Sequence, residues 1–214
     1  AKSFGNLILL GDSLKSVWLI GFDAEPFRMI MLGKDLLSVD VNCADFIVKD
    51  EEIFVVIADN NNVIHLVQYD PDDADSLGGQ RLLNKASFSV NSYVSNLRSI
   101  PKLQEHYNYE LRELQTLVSN DFQTIGSTID GSFFAVFPLN ENTYRRMYIL
   151  QQQITDKEYH YCGLNPRLNR FGGLTVKGNE TNVKPMLDYE VLRTFTKLND
   201  DRKRNLASKV SGNN

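Results

Sequence analysis

The sequence is poor in the residues that build covalent or metal-held frameworks. Its 214 residues contain two cysteines, Cys43 and Cys162, far apart and without a C-x-x-C pair, so neither a disulfide framework nor a cysteine zinc site is readable. Three histidines, His65, His106 and His160, are scattered without ligand spacing, and no metal site is expected. No apolar run approaches the ~20 residues of a membrane-spanning helix, and no basic stretch leads into an apolar one, so no membrane partner is expected. Positive charge is not in surplus either. The net charge is -4 with 23% charged residues, which excludes a generally basic nucleic-acid binder and leaves only local contact. The phosphate-cradling patterns G-x-x-x-x-G-K-[ST] and G-x-G-x-x-G are absent, and no cofactor is expected. The acidic run Asp70 to Ser76 lacks the terminal Glu of a calcium loop and reads as a solvated connection.

What the sequence does contain is a repeat. Setting Leu9 to Asp23 above Val56 to Asp70 places Asp12 on Asp59, Trp18 on His65, Leu19 on Leu66 and Asp23 on Asp70, at one constant offset of 47. A third copy, Gly126 to Leu139, puts Asp130 before its turn in the same way. Each copy reads as strand, tight turn, strand. Asp12, Asp59, and Asp130 with Gly131 supply the acceptors and the tolerance of positive φ that such turns require. The flanking strands are apolar at both parities, so each hairpin needs a sheet stacked on either side. Further strands are expected at Arg28 to Leu32, Ala44 to Val48, Arg81 to Val90 and Tyr93 to Ile100. Four antiparallel strands per ~47 residues is the period of a β-propeller blade.

The expected fold is mainly β: about three final blades of a seven-bladed type of propeller over residues 1–139, then the start of a helical C-terminal domain over 140–214. An insertion at Pro101 to Ser119 spaces Leu103, Tyr107, Leu111, Leu114 and Val118 at helical intervals, which predicts an amphipathic helix or a mobile loop. Three blades do not close a ring. The opening "AKSFGN", directly before a strand and without Met, is expected to continue a longer polypeptide whose remaining blades complete the propeller. Beyond Pro138, Asn140 is the expected N-cap of a helix carrying Tyr144, Met147 or Tyr148, and Ile154 on one face. Cys162 to Asn182 connects to a second helix opened by Pro185, with Leu187, Val191, Phe195 and Leu198 in a stripe, and a third follows from Asp200. Basic residues cluster at Arg145 and Arg146, at Arg167 and Arg170, and from Arg193 to Lys209, on faces that read as solvated.

The tetrad Gly11-Asp12-Ser13-Leu14 resembles the first block of the GDSL esterases and lipases, which raises Ser13 as a nucleophile. A serine nucleophile needs a histidine base oriented by an acid. The residues three before the histidines are Asn62, Leu103 and Lys157, so the D-x-x-H of that family is missing, as is its G-x-N-D. The repeat equates Ser13 with Asn60. Hydrolysis is therefore the distant alternative, and no catalytic residue is expected.

Specific strings go further than periodicity. "LGGQRLLNKASFSVN" (Leu77 to Asn91), "IDGSFFAVFPLNENTYRRMYILQQQIT" (Ile129 to Thr155), "GLNPR" (Gly163 to Arg167) and "PMLDYEVLRTF" (Pro185 to Phe195) resemble the C-terminal region of the large scaffold subunit of the cleavage and polyadenylation specificity factor, in a fungal form. The large subunit of the UV-damaged DNA-binding complex and a splicing factor subunit belong to the same superfamily of triple propellers. The resemblance implies a nuclear, non-catalytic scaffold for pre-mRNA 3′-end formation. It implies a WD-repeat subunit, a CCCH zinc-finger subunit and the poly(A) polymerase module as partners, with pre-mRNA reached either through them or by direct contact at the local basic clusters. An adaptor of that superfamily in ubiquitin ligation or splicing is the alternative. Tyr144, Arg145 and Arg146, with Gly163, Leu164, Asn165, Pro166 and Arg167, match the family's strings and are the candidates for partner contact or for docking helix against propeller. Because Ser13 sits at a turn tip, Ser13→Asn is expected to change stability by no more than about 0.5 kcal/mol, read by urea unfolding.

Overall fold

A computed structural model describes residues 1–37, 39–50, 52–108, 113–158, 160–167, 170 and 185–211. Strands β1 (Lys2–Phe4), β2 (Leu7–Asp12), β3 (Ser16–Ala24) and β4 (Phe27–Lys34) form one antiparallel four-stranded sheet in chain order. Strands β5 (Val41–Lys49), β6 (Glu52–Asp59), β7 (Val63–Tyr69) and β8 (Leu83–Ser89) form the next. Strands β9 (Val94–Asn108), β10 (Glu113–Thr128) and β11 (Phe133–Val136) form a third, joined to the second through the single register pair Phe122↔Val48, so that hydrogen bonding runs through all seven.

The 47-residue offset is a structural repeat down to its register. In the first blade Ile8 pairs with Ile20, Leu9 with Leu19 and Leu10 with Trp18; in the second Val55 pairs with Val67, Val56 with Leu66 and Ile57 with His65. Every partner is displaced by the same 47. The irregularity in the next ladder repeats too, falling between Leu19 and Ile20 in one blade and between Leu66 and Val67 in the other. A bulge bends its strand and increases the local twist, so two blades that bulge at one place twist alike and can stack.

Stacking accounts for the apolar residues at both parities. Along β6, Val55 and Ile57 point into a core shared with Leu9, Val17 and Leu19 of the first blade. Val56 and Ala58 point the other way, into a core shared with Val94 and Leu97 of the third. All four are fully buried. One glycine is required by packing: a Cβ on Gly126 would run into the ring of Phe134, which lies over it from the paired strand.

A polar tie crosses the three sheets where their first strands converge. Lys2 on β1 pairs with the buried Asp45 on β5 at 3.1 Å and donates to the Leu97 carbonyl on β9 at 2.9 Å. The Ser99 amide donates to the same carboxylate at 3.0 Å. The charge is thus matched by an ammonium and an amide instead of being left bare in the core.

Two expectations need correction, and a third, the N-cap, holds in position. Pro101 to Ser119 is neither helix nor loop: it prolongs β9 and β10, with Val118 in register with Leu103 and Leu114 with Tyr107. An interval of four is even, so it satisfies a strand's period of two as well as a helix's 3.6. The ladder already running through Ile100 and Gln123 decides between them; Leu111 and the tip lie outside the described residues. Asn140 stands at the N-cap of α1 (Glu141–Lys157), but its side chain makes no capping bond. Pro185 does not open the second helix. Asp188 does, accepting the Glu190 amide at 2.9 Å, and the short α2 (Tyr189–Arg193) runs into a 3₁₀ turn over Thr194–Lys197 before α3 (Asp200–Ser211). Ile154, Val191 and Leu206 close a small core among the three helices. Most of the Cys162 to Asn182 connection lies outside the described residues.

Because Ile57 is buried between two sheets, Ile57→Ala is expected to cost about 2–5 kcal/mol and Ile57→Val about 0.5–1.5 kcal/mol, read from urea midpoints.

Candidate docking interface

The carboxylates singled out in the turns do local work. Asp12 Oδ1 accepts the amides of Leu14 and Lys15 at 2.7 and 3.0 Å. Asp59 Oδ1 accepts those of Asn61 and Val63 at 2.9 and 2.8 Å. Asp12 and Asp59 each end a strand, whereas Asp130 lies two residues past the end of β10, inside the turn. It takes the Thr128 hydroxyl and, at 3.3 Å, the Ser132 amide, while Gly131 at φ +85° donates to the Thr128 carbonyl at 3.1 Å. Ser13 is exposed between Asp12 and Leu14. Two of the three histidine rings are held elsewhere: His65 Nε2 is 3.2 Å from Asp59 Oδ2, and His160 Nε2 is 2.7 Å from the Thr155 carbonyl.

The candidates on the helical part fall into two groups. Tyr144, Arg145 and Arg146 line one groove of about 610 Å³ with Tyr148 and Val210 of α3. Tyr144 and Tyr148 stack at 5.8 Å, and the Tyr144 hydroxyl donates to the Pro185 carbonyl at 2.9 Å. Arg145 pairs with Glu141 at 2.9 Å, and Arg146 is exposed. Gly163, at φ +67°, turns the chain beyond the far end of α1. Asn165 Oδ1 accepts the Arg167 amide at 2.9 Å, Pro166 is half-buried, Leu164 is exposed, and Arg167 pairs with Asp156 at 3.0 Å. Asp156 is about 16 Å along the helix from Arg145. The remaining basic residues are largely countered: Arg193 by Glu190, Arg202 by Glu158, Lys203 by Asp200 and Arg204 by Asp201.

The contacts that hold helices to blades come from residues the sequence did not single out for it. Met186 packs against the core between the second and third blades. The Arg170 guanidinium lies 5.9 Å from the centroid of Phe88 on β8 and pairs with Asp188, and Lys49 on β5 donates to the Leu139 carbonyl at 3.2 Å. Gln151, fully buried on α1, holds the segment that carries Met186: its Oε1 accepts the Asp188 amide at 2.7 Å and its Nε2 donates to the Met186 carbonyl at 3.4 Å. A run of three glutamines on an amphipathic helix was the available signal. A buried amide side chain bonding two backbone groups is a specific joint, since removing it strands both.

Two buried carboxylates near the seam between the first and second blades are shifted in opposite directions. Burial pushes Asp35 up from 3.8, and the Ser16 hydroxyl at 2.6 Å and the Leu37 amide only partly oppose it. Burial also acts to raise Asp59, but the bonds from His65, Val63 and Asn61 outweigh it and hold the carboxyl below 3.8.

The model of the family described as CPSF A subunit region matches residues 1–197. Protein CFT1 of Debaryomyces hansenii is 69% identical over 214 residues, covering 100% of this chain and 15% of the relative. Protein CFT1 of Candida albicans is 62% identical over 99% of this chain and 16% of the relative, and that of Saccharomyces cerevisiae 37% over 98% and 15%. The chain thus spans about 15% of the length of the relatives it matches.

The two carboxylates predict opposite pH signatures. Asp59 adds stability that is full above 3.8 and is lost as pH falls through its folded value; Asp35 removes stability as pH rises from 3.8 through its folded value. Urea midpoints from pH 3 to 7 are expected to lose the acid-side fall in Asp59→Asn and the alkaline-side fall in Asp35→Asn.

Proposed function

This chain belongs to the CPSF A subunit region family, and from that premise we propose that it is a section of a non-catalytic scaffold subunit of the nuclear pre-mRNA 3′-end cleavage and polyadenylation machinery. The observation that supports the reading best is a pair of equivalent positions. Ile57 and Leu10 occupy the same place in successive blades; Ile57 is fully buried against the first blade, and Leu10 is 38% exposed on that blade's outer face. Ile8, Trp18 and Ile20 share that face. A preceding blade would cover it as the first blade covers Val55 and Ile57. At the other end Phe133 and Ile129, both more than 70% exposed, call for a following blade or a partner.

In the proposed assembly these sheets are a rigid platform for a WD-repeat subunit and a CCCH zinc-finger subunit, which read the polyadenylation signal, and for recruitment of poly(A) polymerase. Tyr144 braces the helical part through Pro185 and Arg167 pairs with Asp156 at its surface, while Arg145, Arg146 and Leu164 face outward toward partner subunits. RNA is held by those partners and not by this section, in keeping with the countered basic residues on α2 and α3.

Affinity purification of the tagged full-length protein from nuclear extract, followed by mass spectrometry, is expected to recover polyadenylation subunits. Ligase or spliceosomal subunits in their place would overturn the assignment. In the full-length protein Leu10→Ala is expected to cost about 2–5 kcal/mol, as a buried inter-blade residue should, and a cost under about 1 kcal/mol would remove the preceding blade from that face.

A further inference from the structure

The three blades open with the same hairpin and close it at very different lengths. The first two strands of the first blade reverse between Phe4 and Leu7, and those of the second between Lys49 and Glu52. β9 and β10 stay paired much further, to Asn108 and Glu113. The level at which the other hairpins turn is marked within the third blade itself: Phe122 is in register with Val48, and Asp121 Oδ1 accepts the Asp50 amide at 3.3 Å. Beyond that level six further pairs follow, from Leu103 with Val118 to Asn108 with Glu113. At ~3.4 Å per residue they carry the hairpin about 20 Å past the sheet as a two-stranded arm. The excess of the third copy over the 47-residue repeat lies in this arm, and the stacking of blades makes no use of it.

Such an arm does not stand well alone. β11 pairs with β10 only over 124–127 and β5 only at Phe122, so within the arm each strand has no described strand neighbour but the other. A two-stranded ribbon is marginal in water unless something packs on it. Residues directly opposite share a face, so the register separates the two faces of the arm. Leu103 and Val118, Glu105 and Thr116, and Tyr107 and Leu114 belong to one face, four of the six being apolar. Gln104 and Leu117, His106 and Gln115, and Asn108 and Glu113 belong to the other, where Leu117 alone is apolar. That alternation is the pattern of a sheet covered on one side.

Completion of the propeller does not supply the cover. Blades stack side by side, as the first and third do on the two faces of β6, and their other hairpins reverse at a common end, at Asp12, Asp59 and Asp130. The arm leaves from the opposite end along the direction of the strands, so it rises off the face of the disc and not into the place of a neighbouring blade. A second copy of this chain does not supply it either. Four apolar residues on a ribbon one strand pair wide offer well under the ~800 Å² that each partner of a stable complex contributes. The arm is therefore an addition to a contact made mainly by the disc face from which it rises.

Resting on the scaffold reading above, we propose that this arm is a grip for another subunit, one seated on the propeller face that carries the turn at Asp50. The chemistry of the occupant follows from the register. It offers an apolar strip about 13 Å long, the span from Leu103 to Tyr107, to meet those two residues with Leu114 and Val118. Glu105 is the one charged residue of that face, so the contact lacks the run of basic residues that a nucleic-acid backbone would require.

Hydrogen exchange read by mass spectrometry on the full-length protein, alone and within its purified assembly, tests this. Residues 103–108 and 113–118 are expected to exchange at least ten-fold more slowly in the assembly. Leu114→Lys is expected to abolish that protection and release one subunit, whereas Leu117→Lys, on the opposite face, leaves it bound, both with the urea midpoint of the parent. Should Leu114→Lys lower the midpoint, replacement of residues 103–118 by Asn-Gly, a two-residue hairpin turn, takes its place with the same release expected. Equal exchange in both states overturns the grip and leaves membership of the assembly standing, whereas a protein that enters no assembly overturns both. Protection already present in the isolated protein assigns the cover to the same polypeptide or, where it grows with concentration, to a second copy, and protection lost on nuclease treatment assigns it to RNA. Each of these overturns the proposal, as does equal release by Leu114→Lys and Leu117→Lys.

Discussion

A sheet that is apolar on both faces has no side to give to water, and the rest of the structure follows from that constraint. Four consecutive residues of β6, Val55 to Ala58, are fully buried, two against each neighbouring sheet. At roughly 25 cal/mol per Å² of apolar surface, such burial is the dominant favourable term available to so strand-rich a chain. It can be realised only if successive sheets twist alike and meet at matched heights. The shared register and the shared bulge of the first two blades supply the twist, and the tie from Lys2 through Asp45 to Leu97 and Ser99 supplies the height.

Polar groups in this protein are arranged to serve that stacking. Asp12, Asp59 and Asp130 close turns by accepting amides that no strand partner can reach, which fixes where each hairpin reverses and so which residues face which sheet. The conditions differ from blade to blade. Asp12 lies in an exposed turn, whereas Asp59 is buried and shares its second oxygen with His65, at the place where the first blade has Trp18. An aromatic ring and an Asp-bound imidazole fill equivalent space, one at a half-covered face and the other at a closed one. The repeat therefore preserves shape more strictly than chemistry.

How much of this was legible depended on sequence separation. The hairpins, their turns and their two-faced burial could be read because each is written within some fifteen residues and then written again 47 residues later. Leu103 and Tyr107 misled because an interval of four suits both a helix and a strand, and only the ladder through Ile100 and Gln123, a long-range fact, separates them. Asp188 has the side chain of an N-cap, and Pro185, three residues earlier, carries the competing signal of a first helical residue. The joint between helices and blades was not legible at all. Arg170 meets Phe88, Lys49 meets Leu139, and Gln151 meets Met186 and Asp188 across intervals of 35 to 90 residues, for which no local pattern exists.

The tetrad that suggests an enzyme shows why a motif must be read with its surroundings. In Gly11-Asp12-Ser13-Leu14 the acid is bound to turn amides, the serine is at the tip, and the rings of His65 and His160 are engaged elsewhere. A nucleophilic serine requires a base held ready and donors aimed at the oxyanion; a turn between stacked sheets requires only an acceptor and a small residue. The same four letters meet the second requirement fully.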